Sequence, residues 1–282
     1  ASAAPGASEA VSAPAHAMHL HYLDPYQPRD SVVHALDARI KLSLAVAFIL
    51  AVALMPMGAW PLYALLLALS LSVIVLSELG VGPVLKRSVL ALPFVLAAAP
   101  LLITGGLPAL VTLPIGGGIP ISASGAARFA SIAIKSWLSL QMAIVLASAT
   151  SFPQLLLAMR ALHVPRLFVA TFGLMWRYLF VLADETQRML RARAARSGVS
   201  GETGRKVGGS VIWRARVAGA MAGSLFLRAI ERGDRIYLAM ASRGYDGEIR
   251  SFPMPDIPRA QWLVLFGALI ILALLLGLSI LF

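Results

Sequence analysis

The sequence contains no cysteine and few charged residues. None of its 282 residues is cysteine, which excludes disulfides, thiolate metal sites and cysteine nucleophiles. Charged residues form 13% of the chain, against about 25% in a typical soluble domain. Hydrophobic residues form 59%, and several long apolar runs carry no charge. This composition predicts an integral membrane protein.

Several catalytic and cofactor-binding motifs are also missing. The chain has neither the G-x-x-x-x-G-K-[ST] motif for ATP nor the H-E-x-x-H motif for zinc. The Gly-Gly-Gly triplet at 116–118 continues as Ile-Pro-Ile, which is not a dinucleotide-binding fingerprint. His19 and His21 form an H-x-H pair without a nearby acidic cluster, so a solvated arm is favoured over a metal site. We therefore expect a non-catalytic chain with no catalytic residue, no metal site and no cofactor.

Acidic residues are scarce relative to basic ones. The chain has 24 Lys and Arg against 13 Asp and Glu, a net charge of +11. In a soluble protein this excess would suggest nucleic-acid binding, but basic residues also gather in the cytoplasmic loops of membrane proteins. No basic module interleaved with aromatic residues is visible. We therefore expect a lipid bilayer as partner and no nucleic acid.

Five apolar runs are near the length of about 17–25 residues that a helix needs to cross a bilayer. They are Leu42–Met55, Pro61–Leu79, Ser88–Thr104, Phe129–Thr150 and Gln261–Phe282, the first being short unless it extends from Ile40 to Trp60. Basic residues precede the first run, separate the second from the third and follow the fourth. These loops, and with them the N-terminus, should be cytoplasmic. The uncharged loop Gly105–Ala127 should face outward.

The segment Leu167–Ala183 is also apolar, but it contains Arg177. If it crossed the bilayer, residues 184–250, which hold 13 of the 24 Lys and Arg, would lie outside. That placement contradicts the positive-inside rule. We therefore expect this segment to lie at or partly in the inner interface, with re-entrant or additional spans as the alternative.

The predicted fold is an all-α integral membrane protein with about five transmembrane helices, or six if that segment crosses, plus long cytoplasmic helices. The predicted organisation is a flexible N-terminal arm at 1–29, transmembrane helices 1–4 at 30–150, a cytoplasmic helical region at 151–259 and a C-terminal transmembrane helix at 260–282. The cytoplasmic region should contain a short helix at Pro153–His163 and long helices near Arg166–Arg196 and Val211–Arg243. A glycine-rich loop joins the two long helices.

The two long helices end in similar cationic sequences. Residues 188–198 read RMLRARAARSG and residues 240–247 read MASRGYDG, so Arg196 and Arg243 each stand among small neighbours. One such arginine is explained by the helix dipole or by lipid phosphate. Two of them suggest two guanidinium forks that pair with carboxylates. A partner with two similar subunits, each offering an equivalent pocket, fits this pattern.

These endings also carry a resemblance to a known family. The stretches RYLFVLADETQRMLRARAARSG and GDRIYLAMASRGYDG resemble the transmembrane T component of energy-coupling-factor (ECF) importers, and in particular its cobalt-transport permease branch, CbiQ. HALDARIKL at 34–42 resembles that family's N-terminal pattern, with Ala38 in place of the usual proline. SFPQLLLAMRALHVPRL fits the helix before the first ending. The resemblance covers residues 30–282.

The resemblance implies a scaffold that couples ATP hydrolysis by two ABC-type ATPase subunits to movement of a separate substrate-binding membrane subunit. That subunit would carry Co²⁺, or Ni²⁺. Each of two cytoplasmic coupling helices would end in an Ala-Arg-Gly-like signature that docks on one ATPase. The matching positions are Ala195, Arg196 and Ser197, then Ser242, Arg243 and Gly244, with Arg193 as an additional candidate contact. Ser197 replaces a glycine and Ser242 an alanine, and both substitutes are small.

Two alternatives make different demands on the sequence. A conventional ABC importer permease normally exposes one coupling helix per subunit, whereas this chain has two arginine endings. A membrane-bound lipid-modifying enzyme needs acids or histidines clustered at the interface, whereas this chain scatters them. The expected location is the bacterial inner membrane, with several passes and a cytoplasmic N-terminus.

Overall fold

The computed structural model describes residues 25–102, 109–113, 119–196, 210–247 and 256–281. Within these ranges the secondary structure is helical apart from one short hairpin, which confirms the predicted all-α class. Most of the predicted arm, the Gly-Gly-Gly triplet, Ser197 and the glycine-rich loop between the long helices lie outside the described residues.

Ten α-helices account for most of the described chain. In order they are α1 (Val32–Ala35), α2 (Ala38–Leu54), α3 (Trp60–Leu76), α4 (Val81–Ser88), α5 (Leu92–Ala97), α6 (Ala123–Ala149), α7 (Phe152–Ala161), α8 (Arg166–Arg196), α9 (Val211–Ala241) and α10 (Arg259–Leu278). Short 3₁₀ segments at Val89–Ala91, Ala99–Leu102 and Ser279–Leu281 follow α4, α5 and α10.

Four of the five predicted apolar runs form single helices, namely α2, α3, α6 and α10. Local sequence sets their ends. The Asp37 side chain caps α2 by accepting a hydrogen bond of 2.8 Å from the backbone N–H of Arg39. Pro56 follows the end of α2, and the residue before a proline disfavours helical geometry. Pro61 stands in the first turn of α3, where its missing N–H removes no helical hydrogen bond.

The third predicted run, Ser88–Thr104, differs from the prediction because it does not form one continuous helix. The structure divides its described part into the end of α4, α5 and two 3₁₀ segments. Pro93 and Pro100 lack the N–H that an uninterrupted helix needs, and their rings clash with the preceding turn. Apolar length alone therefore overestimated the regularity of this segment.

The uncharged loop predicted to face outward contains a hairpin that the sequence analysis did not predict. Strand β1 (Ala109–Leu113) pairs antiparallel with β2 (Ile119–Ser122), with Leu113 opposite Ile119. Both strands contain β-branched residues, which favour extended backbone. The second strand leads directly into α6, whose N-cap is Ser122.

The chain folds as two compact units, Ala1–Leu162 with Met254–Phe282 as the first and His163–Pro253 as the second. The core of the first unit is built from α2, α3, α6 and α10. Its most buried apolar side chains include Phe48, Val52, Leu62, Leu66 and Leu138. The start of the C-terminal helix is attached to the start of α2, because the side chain of Gln261 accepts a hydrogen bond of 2.9 Å from the backbone N–H of Asp37.

Two lysines connect α2 and α6 in a reciprocal way. Lys41, near the start of α2, donates to the carbonyl of Ala149 at the end of α6 over 2.9 Å. Lys135, within α6, donates to the carbonyls of Ala53 and Met55 at the end of α2. The two helices are therefore antiparallel, and each lysine satisfies carbonyls that the end of a helix leaves without a partner.

Three described helices are long and apolar enough to cross a membrane, judged by length and composition. They are α6, α8 and α10, and α3 is a shorter apolar helix. The predicted segment Leu167–Ala183 thus belongs to a helix that could span a bilayer as well as lie along it. Together with the composition, these helices support an integral membrane protein.

Candidate functional site

The first arginine ending is the C-terminus of α8. This helix starts directly after Pro165, whose carbonyl accepts from the backbone N–H of Phe168 over 3.0 Å. The helix runs to Arg196 and carries Arg193 and Arg196 in its last turn, where positive charge favours the negative end of the helix dipole. Ala195 and Arg196 are exposed to solvent.

The second arginine ending is the turn after α9. Ser210 begins this helix by accepting a hydrogen bond of 3.2 Å from the backbone N–H of Trp213. At the other end, the N–H groups of Gly244 and Tyr245 donate to the carbonyls of Ala241 and Met240. This pattern is a Schellman motif.

Gly244 has a φ of +77° in this motif, a conformation that glycine adopts without steric cost. The glycine after the second arginine is therefore required by the backbone, in addition to being small. Ser242, Arg243 and Gly244 are all exposed, so the turn presents the arginine to solvent at the end of the helix.

Three side-chain contacts show that α8 and α9 pair in opposite directions. Near the end of α8, the Arg193 guanidinium lies 6.0 Å from the ring centre of Trp213, at the start of α9. Further back, Glu185 contacts Arg228 at 2.5 Å. Further still, the Arg232 guanidinium lies 5.7 Å from the ring centre of Tyr178. Residue numbers fall along α8 as they rise along α9, which defines an antiparallel helix pair.

The antiparallel pairing separates the two predicted docking arginines. Arg196 lies at the end of the pair where α9 begins, and Arg243 lies at the far end of α9. Each helix has 31 residues, and a helix of that length spans about 46 Å. The structure therefore presents two exposed arginines at opposite ends of one helix pair, rather than one combined site.

The remaining predicted positions divide into two groups. Arg193, the additional candidate, is half-buried and stacks against Trp213 within the helix pair. Its guanidinium thus already has an aromatic partner, whereas Arg196 and Arg243 are exposed. Ser197, the last residue of the first signature, lies outside the described residues.

A cleft between α8 and α9 was not identified from the sequence. It has a volume of about 560 Å³ and is lined by charged side chains from both helices. Glu185 bridges two of them, contacting Arg228 at 2.5 Å and Arg188 at 3.1 Å. The spacing of three between Glu185 and Arg188 predicts an intrahelical pair, but nothing local identifies Arg228, which is 43 residues away from Glu185.

Among the described residues, no three His, Asp or Glu side chains come close enough together to hold a metal ion. His19 and His21 lie outside those residues.

The sequence matches the family model for CbiQ, described as "Cobalt transport protein", over residues 29–254. It is 28% identical to the energy-coupling factor transporter transmembrane protein EcfT of Lactococcus lactis, covering 79% of this chain and 83% of the relative. It is 29% identical to the cobalt transport protein CbiQ of Rhodobacter capsulatus, covering 47% of this chain and 51% of the relative.

An uncharacterized protein of Methanocaldococcus jannaschii is 32% identical over 46% of this chain. The chain spans about half the length of that protein (47%) and of a second one from the same organism (43%). The family match, in contrast, includes both long helices and both arginine endings. The chain therefore belongs to the CbiQ family of cobalt transport proteins, as a membrane component of the energy-coupling-factor type.

Proposed function

We propose that this chain is the transmembrane scaffold of an ATP-driven importer for cobalt ions. Two ABC-type ATPase subunits hydrolyse ATP, and a separate membrane subunit binds Co²⁺ as the cargo. This chain catalyses no reaction itself. It crosses the bacterial inner membrane several times with its N-terminus in the cytoplasm, and it passes the motion of the ATPases to the cargo subunit.

The observation that carries this proposal is the position of the two arginine endings. Arg196 and Arg243 are exposed at opposite ends of an antiparallel helix pair, about 46 Å apart along the helices. One partner pocket cannot hold two side chains that far apart. Two copies of one ATPase, each offering the same pocket, match two similar endings that are well separated.

Each ending offers chemistry suited to docking. A guanidinium pairs with a carboxylate through two parallel hydrogen bonds, which fixes orientation as well as distance. Within the described part of the chain, neither Arg196 nor Arg243 forms an ion pair. Both side chains are therefore available to an acidic groove on an ATPase.

The contacts between α8 and α9 support a role in transmitting force. Glu185 holds Arg228 of the other helix, and the two arginine–aromatic contacts lie on either side of it along the pair. These links tie the helices together over much of their length. When one docked ending moves, these contacts therefore move the other helix as well.

The cytoplasmic placement of this helix pair rests on charge. Residues 184–250 hold 13 of the 24 Lys and Arg of the chain, and such residues concentrate on the cytoplasmic side. In the proposal, the apolar first half of α8 lies at or partly in the inner interface, and its cationic second half lies in the cytoplasm with α9.

Charge reversal at the endings tests the proposal. Arg196→Glu and Arg243→Glu should each weaken ATPase docking by about 2–5 kcal/mol or more, because each leaves a buried carboxylate facing a like charge. The double variant should lose co-purification with the ATPases and cobalt uptake. Arg191→Glu and Arg235→Glu, which reverse exposed arginines on the same helices, serve as matched controls and should retain both.

A cross-linking experiment separates two docking sites from one. The chain has no cysteine, so Ser197→Cys or Ser242→Cys introduces a single thiol beside one docking arginine. Each variant should cross-link to an ATPase subunit in the assembled complex. A conventional permease would yield cross-links at one ending only. Normal assembly and uptake by the double charge-reversal variant would refute the docking role.

A further inference from the structure

The cleft between α8 and α9 carries an excess of positive charge. Four arginines line it, and one glutamate, Glu185, faces them. That carboxylate is shared between Arg188 and Arg228. Arg193 stacks on Trp213, and Arg196 has no ion pair within the described residues. The cleft therefore has about three more positive than negative charges, a field that attracts an anion.

The rest of the lining is apolar. Met189 of α8 and Val217 and Met221 of α9 lie beside the arginines, next to the ring of Trp213. A ligand that fills a volume of about 560 Å³ and satisfies both surfaces needs an anionic group and a hydrocarbon part. A phospholipid combines the two, whereas a free phosphate engages the arginines alone.

The sequence of α8 brings this cleft close to lipid. The helix contains an 18-residue window apolar enough for a membrane, and four of its six arginines, at 188, 191, 193 and 196, follow the apolar half. Clusters of basic residues directly after an apolar segment commonly bind anionic headgroups. Arg188 follows the apolar segment Leu167–Ala183 by five residues, about 7.5 Å along the helix. With that segment at the inner interface, as proposed above, this end of the cleft is within reach of lipid headgroups.

We propose that this cleft binds the headgroup phosphate of an anionic phospholipid. Arg188 and Arg228 hold the phosphate, and the apolar side chains contact the start of the acyl chains. This binding does not depend on the proposed docking of ATPases. Because Arg196 belongs both to the cleft and to a docking ending, the decisive variants are at other positions.

The test uses fluorescence of Trp213 in the purified full-length chain, incorporated into phosphatidylcholine nanodiscs. Brominated phosphatidylglycerol quenches tryptophan at short range, and the signal of Trp213 is obtained by subtracting the Trp213→Phe variant. Brominated phosphatidylglycerol should quench Trp213 at a lower mole fraction than brominated phosphatidylcholine, by about tenfold. Both lipids carry the phosphate, but the choline cation of phosphatidylcholine cancels its charge and is repelled by the arginines of the cleft. Equal quenching by the two lipids would overturn the proposal.

Matched substitutions separate the cleft from general surface charge. The Arg188→Gln/Arg228→Gln variant should lose that preference, whereas Arg191→Gln/Arg235→Gln removes equal charge from the same helices outside the cleft and should change it by less than about twofold. Equal losses in both variants would show a non-specific attraction and refute the site.

A substitution with the opposite expected effect guards against loss of folding. Glu185→Gln frees two arginines and should strengthen quenching by phosphatidylglycerol, while Glu231→Gln, outside the cleft, should not. Unchanged or weaker quenching in Glu185→Gln would contradict the proposal. Excess inorganic phosphate should leave the lipid signal in place. Complete competition by phosphate would assign the cleft to a soluble phosphate and overturn the lipid assignment.

Discussion

The two units of the molecule differ in where they place some of their positive charges. In the first unit, Lys41 is only 8% exposed and donates to carbonyls of Ala149 and His34. In the second unit, Arg196 and Arg243 are exposed at helix ends and form no ion pair within the described part of the chain. Both units use cations to hold helices together, but the second also exposes two arginines at its helix ends.

Apolar side chains also differ between the units. Both units expose large ones, but nearly all the buried ones among the described residues belong to the first unit. Phe48 of α2 is 2% exposed, and Phe226 of α9 is 64% exposed. Close packing of buried side chains such as Phe48 stabilises the first unit. A large exposed apolar surface on a long helix is typical of a region that contacts another molecule or lipid. The comparison therefore separates a unit with a packed core from a unit whose described apolar side chains are mostly exposed, and it can be tested residue by residue.

The largest expected difference is between the two phenylalanines. Phe48→Ala should lower the free energy of unfolding by about 3–5 kcal/mol, because it leaves a cavity among closely packed helices. Phe226→Ala should change it by less than about 0.5 kcal/mol, because the ring is mostly exposed. Unfolding of each variant by SDS, starting from the protein in mild detergent micelles, measures both free energies. Similar losses in the two variants would remove the distinction between the units.

A smaller difference is expected between Lys41 and Arg243. Lys41→Met should cost about 2 kcal/mol of unfolding free energy, because the Ala149 and His34 carbonyls lose a buried donor. Arg243→Met should cost less than about 0.5 kcal/mol, since the exposed side chain has no ion pair to lose. Thermal unfolding in detergent compares them. An unaffected Lys41→Met variant would show that the carbonyls find other donors and that the lysine is not structural.

The smallest expected effects concern two glycines. A Cβ at Gly125 would lie 2.5 Å from the carbonyl oxygen of Leu101, so Gly125→Ala should cost about 1.5 kcal/mol through overpacking. A Cβ at Gly244 would meet nothing within 4 Å. Gly244→Ala should cost about 1 kcal/mol through its positive φ alone.

Asparagine distinguishes these two causes because it tolerates positive φ. Gly244→Asn should recover part of the stability lost in Gly244→Ala, whereas Gly125→Asn should be no better than Gly125→Ala. The measurement is again the melting temperature in detergent. If asparagine restored stability at Gly125, overpacking would not be the cause there. If it restored none at Gly244, the positive φ would not be the cause at that position.

Much of the helical framework could be predicted from local sequence. The predicted helix at Arg166–Arg196 has the observed bounds, and the one predicted to reach Arg243 ends at Ala241. Proline before α8, a serine cap before α9 and the charge at both ends are local signals. The prediction of one continuous helix for the third apolar run was wrong, because its prolines interrupt the helix while leaving the composition apolar.

The arrangement of the candidate site could be predicted only in part. The arginine endings were visible because each depends on a few adjacent residues. The cleft was not visible because Arg228 meets Glu185 across two helices, and no spacing within one helix encodes that contact. The partners of Lys41 and Lys135 were missed for the same reason, since each lies on a different helix.

The sequence by itself determined the membrane class, the approximate bounds of most long helices and the two arginine endings. These properties depend on composition and on neighbours within a turn or two, where backbone geometry leaves few choices. Only the tertiary structure decided that α8 and α9 run antiparallel, that Arg196 and Arg243 stand apart, and that Arg188 and Arg228 share the carboxylate of Glu185. Such pairings arise from packing between distant segments, which depends on shape and charge over whole helices.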